Sequence, residues 1–372
     1  MEESSLLYWV ALNMVPDISA RQFHTLIAFY QKDLKKSFLA KASELSKIPR
    51  ITPRTVEAIE ASKLLLNRAE VELKNAAKRG IKLICFDDMD YPDSLKEIHD
   101  PPALLYVQGV RFKINVALAV VGTRLATPYG LEVTTYLVKA LAHSGVTIVS
   151  GLARGIDRRA HEAALEAQGH TIAVVGNGLS VVYPREHRNL YERIADQGAL
   201  ISEFPLETGP NRYHFPKRNR IISGLSRGVL VVEAPAKSGA LITANFALEQ
   251  GREVFAVPGK IHSRVSAGTH ALIQQGAKLV VRPSDILEEL KMPVLKDILT
   301  DKAAIGQSLT QDEERILQLL ENRRQFGEIA DASKMDVDRL SEILLSFELR
   351  GLIARKNDQY YRKTVCLSHS SL

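Results

Sequence analysis

Between residues 122 and 259 the chain carries short segments whose residue types suit phosphate binding. They are Gly122-Thr-Arg-Leu-Ala-Thr-Pro-Tyr-Gly130, Ser150-Gly-Leu-Ala-Arg-Gly-Ile-Asp157, Phe215-Pro-Lys-Arg-Asn-Arg220, Ser238-Gly-Ala-Leu-Ile-Thr243 and Val257-Pro-Gly259. Glycine lets backbone N–H groups approach an anion, and arginine adds a forked, permanently charged donor. Gly122, Thr123 and Arg124 directly follow the apolar run Val116–Val121. That turn either cradles phosphate at the start of the next helix or is a tight connection whose arginine covers the sheet edge. Ser150, Gly151, Arg154 and Gly155 repeat the pattern, with Asp157 read as a brace at a helix start. Ser238 and Gly239 supply a third hydroxyl–glycine turn.

The strongest local signal is charge of one sign. Residues 208–232 contain Arg212, Lys217, Arg218, Arg220 and Arg227 and no Asp or Glu, with Tyr213, His214 and Phe215 just ahead of the cluster. Rings stack on unpaired bases while basic groups follow the backbone, which is the chemistry of a single-strand binding groove. Phe215, Lys217, Arg218, Asn219 and Arg220 are therefore candidate DNA-binding residues. No nucleophile–base pair, metal-ligand spacing or carboxylate pair stands beside these loops, so binding without catalysis, cofactor or metal is expected. His161, His187 and His262 lack ligand-like partners and are read as structural.

These turns need a scaffold that brings them to one edge. From about 80 to 290, apolar runs alternate with helical stripes: Val116–Val121, Val146–Val149, Thr171–Val175, Ala199–Ile201, Gly228–Val232, Val254–Val257 and Lys278–Val281. Continuous apolar runs fit parallel strands buried on both faces, and the alternation means βαβ units with right-handed crossovers. Ligands bind such sheets beyond the carboxyl ends of the strands, where most of these turns fall. The fold class is thus α/β: a Rossmann-like doubly wound parallel sheet flanked by a small helical SAM-like domain and a C-terminal winged helix. The expected divisions are 1–75 helical, 76–292 Rossmann-like, 293–308 linker and 309–372 winged helix.

In the first division Phe23, Leu26, Ile27 and Tyr30 share a helical face behind Ser19 as N-cap. Pro16-Asp-Ile-Ser19 stands where a DNA-binding helical hairpin would need glycines, so a packing or protein-contact role is expected there. In the last division Ile316, Leu319, Leu320, Ile329, Ala330, Leu340, Ile343, Leu344 and Phe347 mark three helices. Gly351-Leu-Ile353 and Gln359-Tyr-Tyr361 then mark a hairpin around Asn357-Asp358. Over 309–363 ten basic residues face eleven acidic ones, and the third helix region holds Asp336, Asp338 and Glu342. A neutral module with an acidic third helix argues for protein contact over DNA.

The 372 residues are 45% hydrophobic and 25% charged, as for a globular protein of two or three domains. The net charge of +6 mildly favours an anionic partner. Cys85 and Cys366 have neither disulfide-framework nor zinc spacing. The N-terminus lacks the basic start of a signal peptide and no apolar run reaches membrane-spanning length, so a cytoplasmic protein without membrane contact is expected.

Taken in order, Gly-Thr-Arg-x-x-Thr-x-Tyr-Gly (122–130), Ser-Gly-x-Ala-x-Gly-Ile-Asp (150–157), Tyr183-Pro184, Phe-Pro-x-Arg-Asn-Arg (215–220), Ser-Gly-x-x-x-Thr (238–243), Pro258-Gly259 and Leu-Ile-x-x-Gly-Ala (272–277) resemble the DprA/Smf family. The resemblance covers roughly 80–290 closely and the flanking modules loosely. It implies binding of single-stranded DNA without cleavage and loading of RecA recombinase onto incoming DNA during natural transformation. It also implies that Arg124 and the Lys217-Arg218 pair occupy DNA-pocket positions, and that the chain forms a homodimer through the end of the Rossmann-like domain. His270, Leu272, Ile273 and Leu279 are the candidate interface residues. A phosphoribohydrolase of the LOG type is the alternative. That class resembles Pro-Gly-Gly-x-Gly-Thr followed by a catalytic glutamate, whereas Ser238–Thr243 is followed by none until Glu249. A dinucleotide oxidoreductase is weaker still, because Val175-Gly-Asn-Gly178 lacks the third glycine of the fingerprint.

Overall fold

The structure is a computed structural model that describes residues 3–16, 18–62, 66–110, 112, 114–292, 310–320, 324–349, 353–356 and 359–362. The expected linker 293–308, Cys366 and the Asn357-Asp358 turn lie outside the described residues. The chain divides into two compact units, Met1–Leu295 and Lys296–Leu372.

The first unit is built on a nine-stranded sheet. Its strands are β1 (Lys82–Cys85), β2 (Leu104–Gly109), β3 (Ala117–Val121), β4 (Thr147–Ser150), β5 (Thr171–Val174), β6 (Ala199–Ser202), β7 (Gly228–Val231), β8 (Glu253–Ala256) and β9 (Lys278–Leu279). They lie in the order β1-β2-β6-β5-β4-β3-β7-β8-β9. From β6 through β9 all neighbours are parallel. Strands β3 to β7 are buried at every position, as both faces are covered by helices. The order runs back from β6 to β3 and then jumps to β7. This reversal leaves a crevice beyond the carboxyl ends of β3 and β7, the topological switch point.

The Rossmann-like expectation holds for β3 to β8, with two differences. Lys278–Val281 gives a strand only two residues long, Lys278–Leu279. Strands β1 and β2 extend the sheet in antiparallel fashion, Lys82 facing Val107 and Tyr106 facing Ser202. The chain thus has a mixed sheet in place of a purely parallel one.

The N-terminal helices do not stand apart from this sheet. Ser19 and Gln22 form a reciprocal capping box on helix Ala20–Phe29, whose Phe23, Leu26 and Ile27 are buried. One continuous apolar core joins Trp9, Phe23, Leu26 and Phe38 to Leu104, Tyr106, Ala173 and Leu200 of the sheet. Glu72 adds a polar tie, accepting a hydrogen bond from the Leu206 amide at 2.7 Å.

The second unit is a winged helix. Helices Gln311–Leu319, Phe326–Ser333 and Val337–Leu349 pack Ile316, Leu320, Ile329, Leu340, Leu344 and Phe347 into one core. Strands β10 (Arg324–Gln325), β11 (Ile353–Lys356) and β12 (Gln359–Arg362) form a sheet in the order β10-β12-β11. Thr310 caps the first helix through a capping box with Glu313. Among the described residues no helix is long and apolar enough to cross a membrane.

Candidate nucleic-acid interface

The switch-point crevice opens into a cavity of about 630 Å³. Gly122, Thr123, Arg124 and Leu125 come from the end of β3, and Lys237, Ser238, Gly239, Ile242 and Thr243 from the far side of β7. Phe215, Pro216, Arg218 and Asn219 project from helix His214–Gly224, while Arg212 and Tyr183 close the rim. A smaller cavity behind Phe215 is lined by Gly151, Arg154, Tyr183 and Arg218. Four of the five segments, those between residues 122 and 243, therefore meet around one opening.

The rim is aromatic and cationic. The Phe215 ring lies 5.7 Å from that of Tyr183, tilted by 33°. The Arg124 guanidinium sits over the Phe215 ring at 5.8 Å. Arg124 is exposed and has no ion-pair partner among the described residues. Arg212 lies over Tyr213 at 4.7 Å. Arg124, Arg212 and Lys237 are exposed lining cations with no ion-pair partner among the described residues. Sequence reasoning missed Lys237, although it directly precedes the Ser238 turn; it also missed Tyr183 as part of the rim.

Several candidate residues do other work than expected. Arg220 is almost wholly buried, its Nη2 2.5 Å from Glu203 Oε2 and its Nε 3.2 Å from Asp100. It ties the end of β6 to the loop between helix Asp93–Lys96 and β2, and has no charge to offer a strand. Lys217 lies outside the main cavity, 3.6 Å from Glu203 and over the Phe204 ring. The acid-free stretch is thus answered by acids from other segments.

Arg218 lines the cavity floor but is 5% exposed, its Nη1 donating to the carbonyl oxygens of Gly151 and Val174. Burial pulls its pKa down, to about 10, which leaves it charged at neutral pH. Asn219 Nδ2 donates to the Gly239 carbonyl at 3.2 Å, joining two walls of the cavity. Arg154 is paired with Glu186 at 2.5 Å on the surface. Such exposed pairs are worth little, so a phosphate can replace the carboxylate.

The loop amides are also committed. Thr123 N donates to the Glu233 carbonyl at 2.7 Å. The Glu233 carboxylate accepts from Thr127 N at 2.9 Å and Thr127 Oγ1 at 2.5 Å. An internal carboxylate therefore sits at the start of helix Pro128–His143, where one of the two sequence readings would have a phosphate. The reason is physical: Thr127 Oγ1 caps the helix by accepting from the Gly130 amide at 3.1 Å, and Glu233, 2% exposed, holds Thr127 from behind. Gly122 is required for close approach, since a Cβ there would stand 2.5 Å from Ile156 Cγ1.

Asp157 braces its loop as expected, accepting from the Gly151 amide at 3.2 Å. Burial raises its pKa, opposed by the Arg218 charge. Gly155 takes φ +73° beneath Arg124, and Ser150 Oγ donates to the Val120 carbonyl at 2.6 Å. Both shape the loop from below. His161 is structural as expected, with Nδ1 2.7 Å from Thr171 Oγ1 and burial lowering its pKa to about 3.

At the far edge of the sheet, Leu272 is buried in the core, so its side chain is not offered to a second copy. His270 Nε2 is within 3.3 Å of the Gly259 amide nitrogen and Ile273 is partly buried. Leu279 and Val281 are exposed there at 44% and 63%.

The fold and the site have counterparts among known proteins. Residues 82–291 match the profile of the family described as DNA recombination-mediator protein A, and residues 300–359 match the DprA winged helix domain. The DNA processing protein DprA of Bacillus subtilis is 48% identical over 215 residues, which is 57% of this chain and 72% of that protein. The X-ray structure of DprA from Streptococcus pneumoniae superposes with a TM-score of 0.66 at 34% identity, covering 76% of this chain and 97% of that one. DprA from Helicobacter pylori, in a structure described as giving insights into its single-stranded DNA binding mode, superposes with a TM-score of 0.51 at 30% identity. It covers 56% of this chain and 96% of that one.

Proposed function

The chain belongs to the DNA recombination-mediator protein A family, and on that premise we propose that its switch-point cavity binds single-stranded DNA and serves to load RecA recombinase onto it during natural transformation. The observation that carries this reading is the unpaired Arg124 guanidinium over Phe215, with the Tyr183 ring alongside. Unpaired bases stack on the rings, and Arg124, Lys237 and Arg154 follow the phosphates. Arg218, Asn219, Gly122, Gly151, Gly155 and Ser150 hold the cavity in shape. The setting is cytoplasmic, where RecA acts.

Binding needs no bond to break, and the protein acts without catalysis of its own. The LOG-type alternative requires a carboxylate beside the phosphate turn. Glu233 is engaged with Thr127 there, which removes it as a base. The three divisions 1–75, 76–292 and 309–372 share the work, with DNA held by the middle one. The winged helix engages protein, because helix Val337–Leu349 carries acidic Asp338, Glu342 and Glu348.

ATP hydrolysis by RecA on oligothymidylate coated with single-strand binding protein tests the loading. The native chain should raise the rate and Phe215→Ala should not. No stimulation by the native chain would defeat the reading.

A homodimer through the exposed end of the sheet is part of this proposal. Strand β9 leaves an open edge beside Leu279 and Val281, and uncovered edges invite pairing. Leu279→Glu with Val281→Glu should give a folded monomer by light scattering. A native chain that is monomeric at micromolar concentration would contradict the dimer. Leu272→Arg is the wrong test, since a buried charge there would unfold the protein.

A further inference from the structure

Beyond the turn that ends in Thr127 lies a second large cavity that nothing above uses. Its volume is about 680 Å³ and its lining includes Tyr129, Pro258, Gly259, Lys260 and Ser263. Residues 121–125 border the first cavity and residues 127–129 the second, so the two lie on either side of one short turn. Each is large enough for a nucleotide-sized ligand.

The loop that walls this cavity reads Pro258-Gly-Lys-Ile-His-Ser-Arg-Val-Ser266 and contains no acid. Lys260, His262 and Arg264 are exposed, and neither Lys260 nor Arg264 is ion-paired among the described residues. Ile261 is 81% exposed and Tyr129 46% exposed, which leaves apolar surface beside the cations. The single lining carboxylate, Glu233, is taken up by Thr127.

The loop is also held in place. The Tyr129 hydroxyl donates to the Pro258 carbonyl at 2.8 Å, and Ala234 N donates to the Val265 carbonyl at 2.6 Å. Ser263 N donates to the Lys260 carbonyl at 2.9 Å, and Ser266 N to that of Ser263 at 3.1 Å. A rigid, one-signed loop with an exposed ring is organised for an anionic, partly apolar ligand before it arrives.

We propose that this second cavity and its basic loop 258–266 are a further station for the same single strand, taking the nucleotides that leave the first cavity past Thr127. Lys260 and Arg264 neutralise phosphates, and Tyr129 and Ile261 offer surface to the bases. The inference rests on the reading of the first cavity as a single-strand site. It adds that the occupied length exceeds what that cavity alone can hold.

The test uses the full chain with fluorescent oligothymidylates of about 4 and about 16 nucleotides, the range of single-strand site sizes. Anisotropy is followed over a series of salt concentrations for the native chain and for Lys260→Glu/Arg264→Glu. The long oligonucleotide should lose affinity on the order of tenfold, and its salt slope should fall by about 1.4, two phosphates at about 0.7 each. The short one should bind as before. Lys35→Glu/Lys41→Glu, an exposed pair elsewhere, controls for net charge and should leave both unchanged.

An unchanged slope for the long oligonucleotide, or equal losses for both lengths, overturns the second station while leaving the first intact. A native chain that binds neither length overturns both readings.

Discussion

Glu203→Ala should lower the free energy of unfolding by about 3–5 kcal/mol, the usual effect of removing one partner from a buried ion pair. Glu203 and Arg220 are both nearly inaccessible, and their side chains meet at 2.5 Å. Without the carboxylate, the Arg220 guanidinium stays buried with only Asp100 at 3.2 Å, on the more exposed side. Among the described residues Nη1 has no hydrogen-bond acceptor and Nε meets Asp100 only as an ion pair, so little else can take up the charge. Against a typical total of about 5–15 kcal/mol, a loss of this size moves a urea midpoint far. Lys217→Ala removes the 3.6 Å ion pair and the Phe204 ring contact of a half-exposed ammonium and should cost about 1 kcal/mol. Urea unfolding of the three proteins separates these effects. A Glu203→Ala midpoint close to native would mean that Arg220 is not dependent on Glu203.

That pair also marks where sequence reading stops. Strands β3 to β8 are legible because each is a short, continuous apolar run between helical stripes. β1 and β2 are not, because Lys82–Cys85 pairs with Leu104–Gly109 and the latter with Ala199–Ser202. No local periodicity records a partner nearly a hundred residues away. Within the site, Gly122, Arg124, Phe215 and Ser238 are legible from residue type and order.

The fate of each arginine is not legible. Arg124 is exposed, Arg218 is folded onto two carbonyls and Arg220 is neutralised from Glu203 and Asp100. Counting charge over 208–232 sees none of those acids, since they lie outside the window. Leu272 shows the same limit for apolar residues. A leucine on a short helix is equally compatible with an interface and with the core, and packing beneath β8 decides for the core.

Arg124→Ala combined with Phe215→Ala should weaken single-strand binding by about 1–3 kcal/mol for the ring alone, roughly 5- to 150-fold, with the arginine adding to the loss. The ring is half-buried at the rim and the guanidinium lies over it, so one pair of substitutions removes both stacking surface and charge. Neither side chain belongs to a buried hydrogen-bond network, and the variant should fold as the native chain does. Losing one phosphate contact should also flatten the salt slope by about 0.7.

The most direct measurement is a parallel anisotropy titration of native and doubly substituted chain with one oligonucleotide, offered first as a single strand and then as a duplex. The native chain should favour the single strand clearly, because only unpaired bases can reach the Phe215 and Tyr183 rings, and the substitutions should remove most of that preference. Equal affinity of the native chain for both forms, or a preference that survives loss of Arg124 and Phe215, would contradict a single-strand site in this cavity.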